Sequence, residues 1–549
     1  MAINHQRALV ILSALAASVL TPWTLLHATP QPGTSQAQSG DSAIEAKMQR
    51  VLPKSLTSAK VQMSALTEIA YQYAFAQRSA AALPMLDRTR ELVEKEMEDC
   101  YQSTPLVRLA HGYVLVGETT KGQQLLKQAL ETARIQTIAN CRLSATSPQE
   151  SLLNRAAEYA EADQYDWAMA IVEGVDNMFR PITMTRIALS HLKAQQPEKA
   201  RPVIARAIEL NRSLRDPDLQ RQMLMVMAVQ LKQMGAVELL PPVIEQIQGT
   251  LNIPAQVGST QVSLDQDSLQ LSQQVTLAEL WIYSGDNARA IAVLDQNIPQ
   301  IQSMKSSYLI EPIRVLTQAA VQYAAAGQPQ RAESVMTIAL TRAKSLKSAA
   351  ADAIIVVAQG YAELGQPERA LKLTPIKGRD EVNATIALRS AKDGKIDQAV
   401  TMARSLKTRK EMTLSQIVTN LLQAKQYKQA FQVAKAEKMN GTLPQVALAF
   451  AQAGKPQEAL QMVQSINAKE LSRQVIHLDW VMPAIVASFA QEGQFDQALQ
   501  VAQHIKTPIY QSQALTALAA QYIKSDRVAN QYKVTETLDQ ALKVALLIR

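Results

Sequence analysis

The six histidines are the first residues whose chemistry could matter, and their spacing offers none. His5, His27, His111, His191, His477 and His504 are scattered, and none has a second ligand three or four residues away. A zinc centre needs convergent ligands, and a nucleophile relay needs a base held by a third group. Glycosidic cleavage needs two acids facing each other across a cleft. Glu158 and Glu161, three apart on a helical pattern, read instead as a solvated face. Asp265 and Asp267 alternate as calcium ligands do, without the remaining oxygens of such a loop. Gly394-Lys395 lacks the glycine-rich context of a phosphate loop, and no H-E-x-x-H occurs. Two cysteines, Cys100 and Cys141, are too far apart for a C-x-x-C redox pair. The expectation is therefore no catalytic residue, no cofactor and no metal.

The elements around these residues are helical in pattern. Of the 549 residues 47% are hydrophobic, 19% charged and 4% aromatic, a composition that suits a helical protein rather than a disordered one. The formal charge of +8 is spread over alternating signs, as in Asp87-Arg88-Thr89-Arg90-Glu91. Nucleic-acid binding would call for a basic stripe with interleaved rings, so no nucleic-acid partner is expected. At the amino terminus Arg7 precedes an apolar stretch, Ala8 to Leu26, and a turn-rich tail follows. This order reads as a signal peptide over 1–28, or as a membrane anchor if uncleaved, followed by a flexible linker over 29–42. The expected location is outside the cytoplasm: periplasm, cell envelope or lumen.

Self-similarity then organises the chain. Ala326-Gly-Gln-Pro-Gln-Arg-Ala332 and Leu364-Gly-Gln-Pro-Glu-Arg-Ala370 each interrupt one helical pattern and begin another. Thirteen such breaks can be anchored, at Gln77, Gly117, Asp163, Gln195, Gly235, Gly285, Gly327, Gly365, Gly394, Lys425, Gly454, Gly493 and Asp526. Seven residues before the anchor stands alanine in eleven repeats, among them Ala320 and Ala358. Four before it stands an aromatic in nine, including Tyr323, Tyr361 and Phe450, where chance would place fewer than one. Five after it stands alanine in ten, including Ala332, Ala370 and Ala459. Small side chains let two helices approach to about 8–10 Å. A glycine such as Gly327, Gly365 or Gly454 can end a helix in the left-handed conformation. Met223, Met225, Met227 and Met234 read as core, or as an adaptable surface.

Small residue, aromatic, glycine and alanine at these offsets resemble the tetratricopeptide repeat, over residues 60–549. The resemblance implies an all-α solenoid of about thirteen stacked helix-turn-helix repeats. Successive anchors lie 29 to 50 residues apart, against 34 in that family. The short repeats at Gly394, Lys425 and Gly454 should have trimmed second helices. The long interval after Gly235 suggests two arms, 43–248 and 269–549, separated by a loop or hinge at 249–268. Cys100 and Cys141 fall at nearly equivalent places in neighbouring repeats, either as a disulfide or as two separate thiols.

Family geometry also implies that first helices line a concave groove. His111, Leu115, Glu279, Tyr283, Gln359, Glu363, Thr419, Gln423 and Gln491 are the residues expected to line it. The expected function is a non-enzymatic scaffold or assembly factor that binds a protein or peptide there. The alternatives are a helical support of a cell-wall glycan-processing enzyme, or a self-associating structural envelope protein. Leu538, Leu542 and Leu546 on the last helix could close the stack or meet another copy.

Overall fold

A computed structural model describes residues 56–548, apart from 98, 136–147, 162–163, 252–265, 304–309, 440 and 466–477. The expected signal or anchor, the linker, most of the 249–268 loop, the Asp163 anchor and Cys141 lie outside the described residues, as does the side chain of Cys100. Among the described residues there are 26 α-helices and no strand. No helix there is long and apolar enough to cross a membrane.

The helices alternate as first and second members of repeats. They begin with α1 (Leu56–Phe75) and α2 (Ser79–Glu96), α3 (Asp99–Leu115) and α4 (Thr119–Ile135). Next come α5 (Pro148–Glu161) and α6 (Tyr165–Gly174), α7 (Arg180–Lys193) and α8 (Pro197–Arg212). The middle of the chain holds α9 (Pro217–Gln233), α10 (Leu240–Leu251), α11 (Gln266–Tyr283), α12 (Asn287–Ser303), α13 (Glu311–Ala325) and α14 (Pro329–Ser345). It continues with α15 (Ala350–Glu363), α16 (Pro367–Leu373), α17 (Arg379–Lys392), α18 (Ile396–Arg404), α19 (Lys410–Gln423) and α20 (Tyr427–Ala436). The last six are α21 (Leu443–Gln452), α22 (Pro456–Ser465), α23 (Met482–Gln491), α24 (Phe495–Gln503), α25 (Pro508–Asp526) and α26 (Gln531–Ala545).

Eleven of the thirteen breaks are made by the residue chosen as anchor. All eight anchor glycines have positive φ, from +68° at Gly454 to +96° at Gly117. Gln77, Gln195 and Lys425 adopt the same left-handed conformation at φ 57–59°. The turn is a Schellman motif: Gln328 N–H donates to the Tyr323 carbonyl at 2.8 Å and Gly327 N–H to Ala324 at 3.0 Å. The aromatic four before the anchor thus supplies the carbonyl that ends its helix, while its ring is buried. All nine such rings are at most 3% exposed. The alanines seven before and five after the anchor are at most 2% exposed. Gly122 takes the latter place in the second repeat, where an added Cβ would meet the Ala110 carbonyl at 2.6 Å.

Two details differ from expectation. The second helices of the Gly394, Lys425 and Gly454 repeats are short as expected, with 9, 10 and 10 residues, but that of the Gly365 repeat, α16, is shorter still with 7. A short interval is set by the second helix before an anchor, not after it. Asp526 is not a left-handed break either; α25 runs through it, and α26 begins at Gln531. The last break is longer by about a turn, so the second half of that repeat is shifted by three positions.

The chain separates into two compact units, Met1–Asn211 with Leu443–Arg549, and Arg212–Thr442. Neither boundary falls within 249–268. The first unit therefore contains the first and the last described helices, and they touch. Helix α1 packs against α25 and α26. Two contacts between consecutive repeats recur within both units.

The first is a glutamine fifteen residues before the anchor that caps the preceding second helix. Gln102 donates to the Met97 carbonyl at 2.7 Å, Gln220 to Leu214 at 2.6 Å, Gln270 to Leu251 at 3.0 Å and Gln511 to Gln503 at 3.1 Å. Gln62, in the same position of the first repeat, donates to Ala545 at the end of the last helix, at 3.4 Å. The second contact joins the tyrosine four before an anchor to an aspartate on the preceding second helix. Tyr113 donates to Asp87 and Tyr323 to Asp295, both at 2.7 Å. Tyr73 donates to Asp539 at 2.5 Å.

In register, then, the first repeat follows the last. Leu538 and Leu542, at most 1% exposed, are covered within the chain rather than left for another copy, and Leu546 is half-buried.

Candidate functional site

Two stretches of first helices, one in each unit, carry the polar and aromatic side chains that could do more than pack. In the unit containing both chain ends, the residue nine before the anchor is Glu68 on α1, Arg108 on α3, Asn154 on α5 and Arg186 on α7. Arg108 is 2% exposed and grips Glu68 with both arms of its guanidinium, Nη2 to Oε1 at 2.6 Å and Nε to Oε2 at 3.0 Å. Its guanidinium carbon lies 3.5 Å from the centroid of the Tyr71 ring. Arg186 donates to the Asn154 amide oxygen.

Burial would push the Glu68 carboxyl up, but the charge and hydrogen bonds of Arg108 reverse this and leave it below its ordinary value. A desolvated cation here is tolerable only because its partner is in place.

Rings surround the pair. His111 packs against Tyr71, Tyr159 and Trp167, with centroids 5.3, 5.0 and 4.8 Å away. Burial, with Arg108 adding to it, holds the His111 ring well below its usual pKa. It is therefore neutral, and its Nδ1 has no hydrogen-bond partner. At 2% exposure His111 does not line a groove, contrary to expectation. Aromatic neighbours from the next repeat close over it. Leu115, one turn later, is half-buried.

The unit spanning Arg212–Thr442 differs. Here the positions six and two before the anchor stay open to solvent or half so. Val229 is 39% exposed, Tyr283 37%, and Thr419, Gln423 and Glu363 are exposed, with Glu279 and Gln359 half-buried. Lys232 pairs with Glu279 at 2.5 Å, and the Tyr283 hydroxyl donates to the Lys232 carbonyl at 3.0 Å. Glu363 is hemmed in by neighbouring helices while its carboxylate still reaches water. That crowding raises its pKa, Lys392 and Arg389 oppose the rise, and Glu279 adds to it. The Thr419 hydroxyl donates back to Ser415 at 2.9 Å. Gln491, in the other unit, is exposed.

Of the packing residues, Ala320, Ala332, Ala358, Ala370 and Ala459 are buried, as are Tyr323, Tyr361 and Phe450; Gly327, Gly365 and Gly454 form turns. Met223 and Met227 are core, while Met225 and Met234 are half-buried. Among the described residues no three His, Cys, Asp or Glu side chains gather as metal ligands would. Sequence reasoning missed Glu68, Arg108, Tyr71, Tyr159 and Trp167 as a group. Following the register row by row would have put Glu68, Arg108, Asn154 and Arg186 at one offset in four consecutive repeats.

No family model and no curated protein matches the chain. Solved structures similar to it overlap most of the chain and are distant in sequence. Ton1535 from Thermococcus onnurineus NA1 is 17% identical over 67% of this chain and 100% of its own, with a TM-score of 0.26. The maize pentatricopeptide repeat protein PPR10 is 11% identical over 84% of this chain and 77% of its own, at 0.25. Yeast Tom70 is 13% identical over 88% and 95%, at 0.22. At such scores the likenesses carry no argument, and the tetratricopeptide-like repeat rests on the chain's own register, turns and buried positions.

Proposed function

We propose that this chain is a non-enzymatic protein-interaction scaffold, exported from the cytoplasm, that holds a polypeptide along its rows of first helices. The observation carrying this reading is the accessible row in Arg212–Thr442. Along each first helix there, the residues at minus seven and minus four are buried, whereas those at minus six and minus two are exposed or half-buried. The open places bear apolar, amide, hydroxyl and carboxylate groups, a mixture suited to contacting main chain and varied side chains. First helices about 10 Å apart match about three residues of an extended chain, so six repeats could hold a segment of about eighteen.

Export rests on the Arg7 and Ala8–Leu26 pattern alone, and an uncleaved segment would anchor the chain to a membrane. Photo-crosslinking residues placed at Tyr283, Gln359 and Thr419 should each capture the same polypeptide in the native source, while one at exposed Ser334 on α14 should not. Equal capture at all four sites, or none, would defeat the proposal. Fractionation of the tagged full chain tests export.

A further inference from the structure

Within Arg212–Thr442 each helix pair turns at its anchor on one edge of the stack and joins the next pair on the opposite edge. The two edges differ in charge. The joining turns at 344–352, 372–381, 404–411 and 435–438 carry eleven Lys or Arg and five Asp or Glu. The anchor turns of the same stretch, 325–331, 363–369, 392–397 and 423–428, carry six and four. The joining turns form one continuous edge, because each holds its neighbour. Lys377 pairs with Asp352 at 2.7 Å, Arg409 with Glu381 at 2.8 Å, and Arg404 with Glu437. Asp380 accepts from the Lys407 and Thr408 amides at 2.9 and 2.7 Å. These bonds occupy four of the five acids, all but Glu411, yet only three of the eleven cations make an ion pair. The other eight are exposed and make none among the described residues.

Apolar side chains protrude from the same edge. Ile376 is 86% exposed and Met412 59%. Ile376 stands three residues before its first helix, α17, and the same place before α15 and α19 is held by Lys347 and Lys407. It is a bare aliphatic tip between two lysines, forgoing the gain that burial would bring. We propose that this edge docks on the surface of a bilayer containing anionic lipids. Ile376 and Met412 enter the headgroup region, and the unpaired cations face lipid phosphates. An anionic headgroup layer above an acyl interior answers both the charge and the aliphatic tips. A nucleic acid answers the charge alone, and the four turns hold no aromatic on which a base could stack. The contact is peripheral and made by turns, so it stands whatever polypeptide the first helices hold.

Hydrogen exchange of the full chain with added vesicles reads this contact locally, whatever the apolar stretch near the amino terminus contributes to overall binding. With vesicles of phosphatidylcholine and about 30% phosphatidylglycerol, amides of 372–381 and 404–411 should slow at least ~3-fold. Those of the anchor turns 392–397 and 423–428 should not slow, and phosphatidylcholine alone should slow neither set. Raising salt from about 0.1 to about 0.5 M should reverse most of the effect. Arg379→Glu/Lys410→Glu should raise the lipid concentration for half-maximal slowing at least ~10-fold. Both residues open a helix, where an acid suits the dipole, so folding is not penalised. Ile376→Ser should raise that concentration at least ~3-fold, and Lys395→Glu/Lys428→Glu on the opposite edge should change it less than either. Equal slowing at both edges, or none at either, would overturn the proposal. Slowing reproduced by heparin and unaffected by Ile376→Ser would assign the edge to a soluble polyanion and overturn the bilayer.

Discussion

Nine residues before each break, the first four repeats carry Glu68, Arg108, Asn154 and Arg186, whereas the six repeats of Arg212–Thr442 carry Val226, Thr276, Gln318, Val356, Thr385 and Gln416. One register serves both runs, with the same left-handed breaks, buried rings and alanine crossings. The first run has spent that row on an internal network, a cation 2% exposed against a carboxylate. The second leaves neighbouring rows open. The repeat skeleton is thus fixed by small residues and turns, while the first-helix face is free to become either core or surface.

The largest test of this contrast removes the carboxylate. Glu68→Leu leaves Arg108 buried without its partner, at an expected cost of about 3–5 kcal/mol to its own unit. Adding Arg108→Leu should recover most of that loss in chemical denaturation followed by hydrogen exchange. Thr276→Ala, at the same offset in the other unit, should cost less than about 1 kcal/mol. Similar costs for Glu68→Leu and Thr276→Ala would erase the distinction.

The shared skeleton predicts equality instead. Ala168→Leu and Ala370→Leu, each in a fully buried crossing in a different unit, should both destabilise by about 1–3 kcal/mol. Unchanged melting of both would count against the register. Gln195→Gly and Lys425→Gly should each stabilise by about 1 kcal/mol, because an L side chain is costly at φ 57–59°. Loss of stability in both would show that those side chains matter more than their strain.

Acidity should act with opposite signs. The folded pKa of His111 is lowered from 6.5 and that of Glu68 from 4.5, so the unfolded chain binds protons more readily than the native one. Their contribution is present at neutral pH and is lost as pH falls, first below about 6.5 and then below about 4.5. Glu363 is raised above 4.5, so the native state takes its proton first and gains stability as pH falls through that folded value. Protection factors, which correct for the slower intrinsic exchange in acid, should fall on acidification in α3 more than in α15, and Glu363→Gln should remove the protection gained by α15. A parallel fall in both helices, unaltered by that substitution, would contradict the assignment.

The skeleton was legible because it depends on residue type at fixed spacing. Glycine at Gly327 and alanine at Ala332 can be read without knowing which repeat packs on which. The turn at Asp526 was misplaced since helix α25 simply continues, and nothing in its sequence forbids that. The burial of His111 was not legible, because it depends on Trp167 and Tyr159 arriving from another repeat. Gln62 and Asp539 were equally opaque. Each fits its own repeat, but only coordinates show that they bring the first repeat to the last, 483 and 466 residues apart along the chain.

A double-mutant cycle between Tyr73→Phe and Asp539→Ala tests that adjacency most directly, with Tyr113→Phe and Asp87→Ala as its counterpart between tethered repeats. A coupling energy of about 1–2 kcal/mol in both cycles is the expected result for a hydroxyl donating to a carboxylate. Coupling at Tyr113 and Asp87 with none at Tyr73 and Asp539 would mean that the first and last described repeats do not meet as consecutive ones.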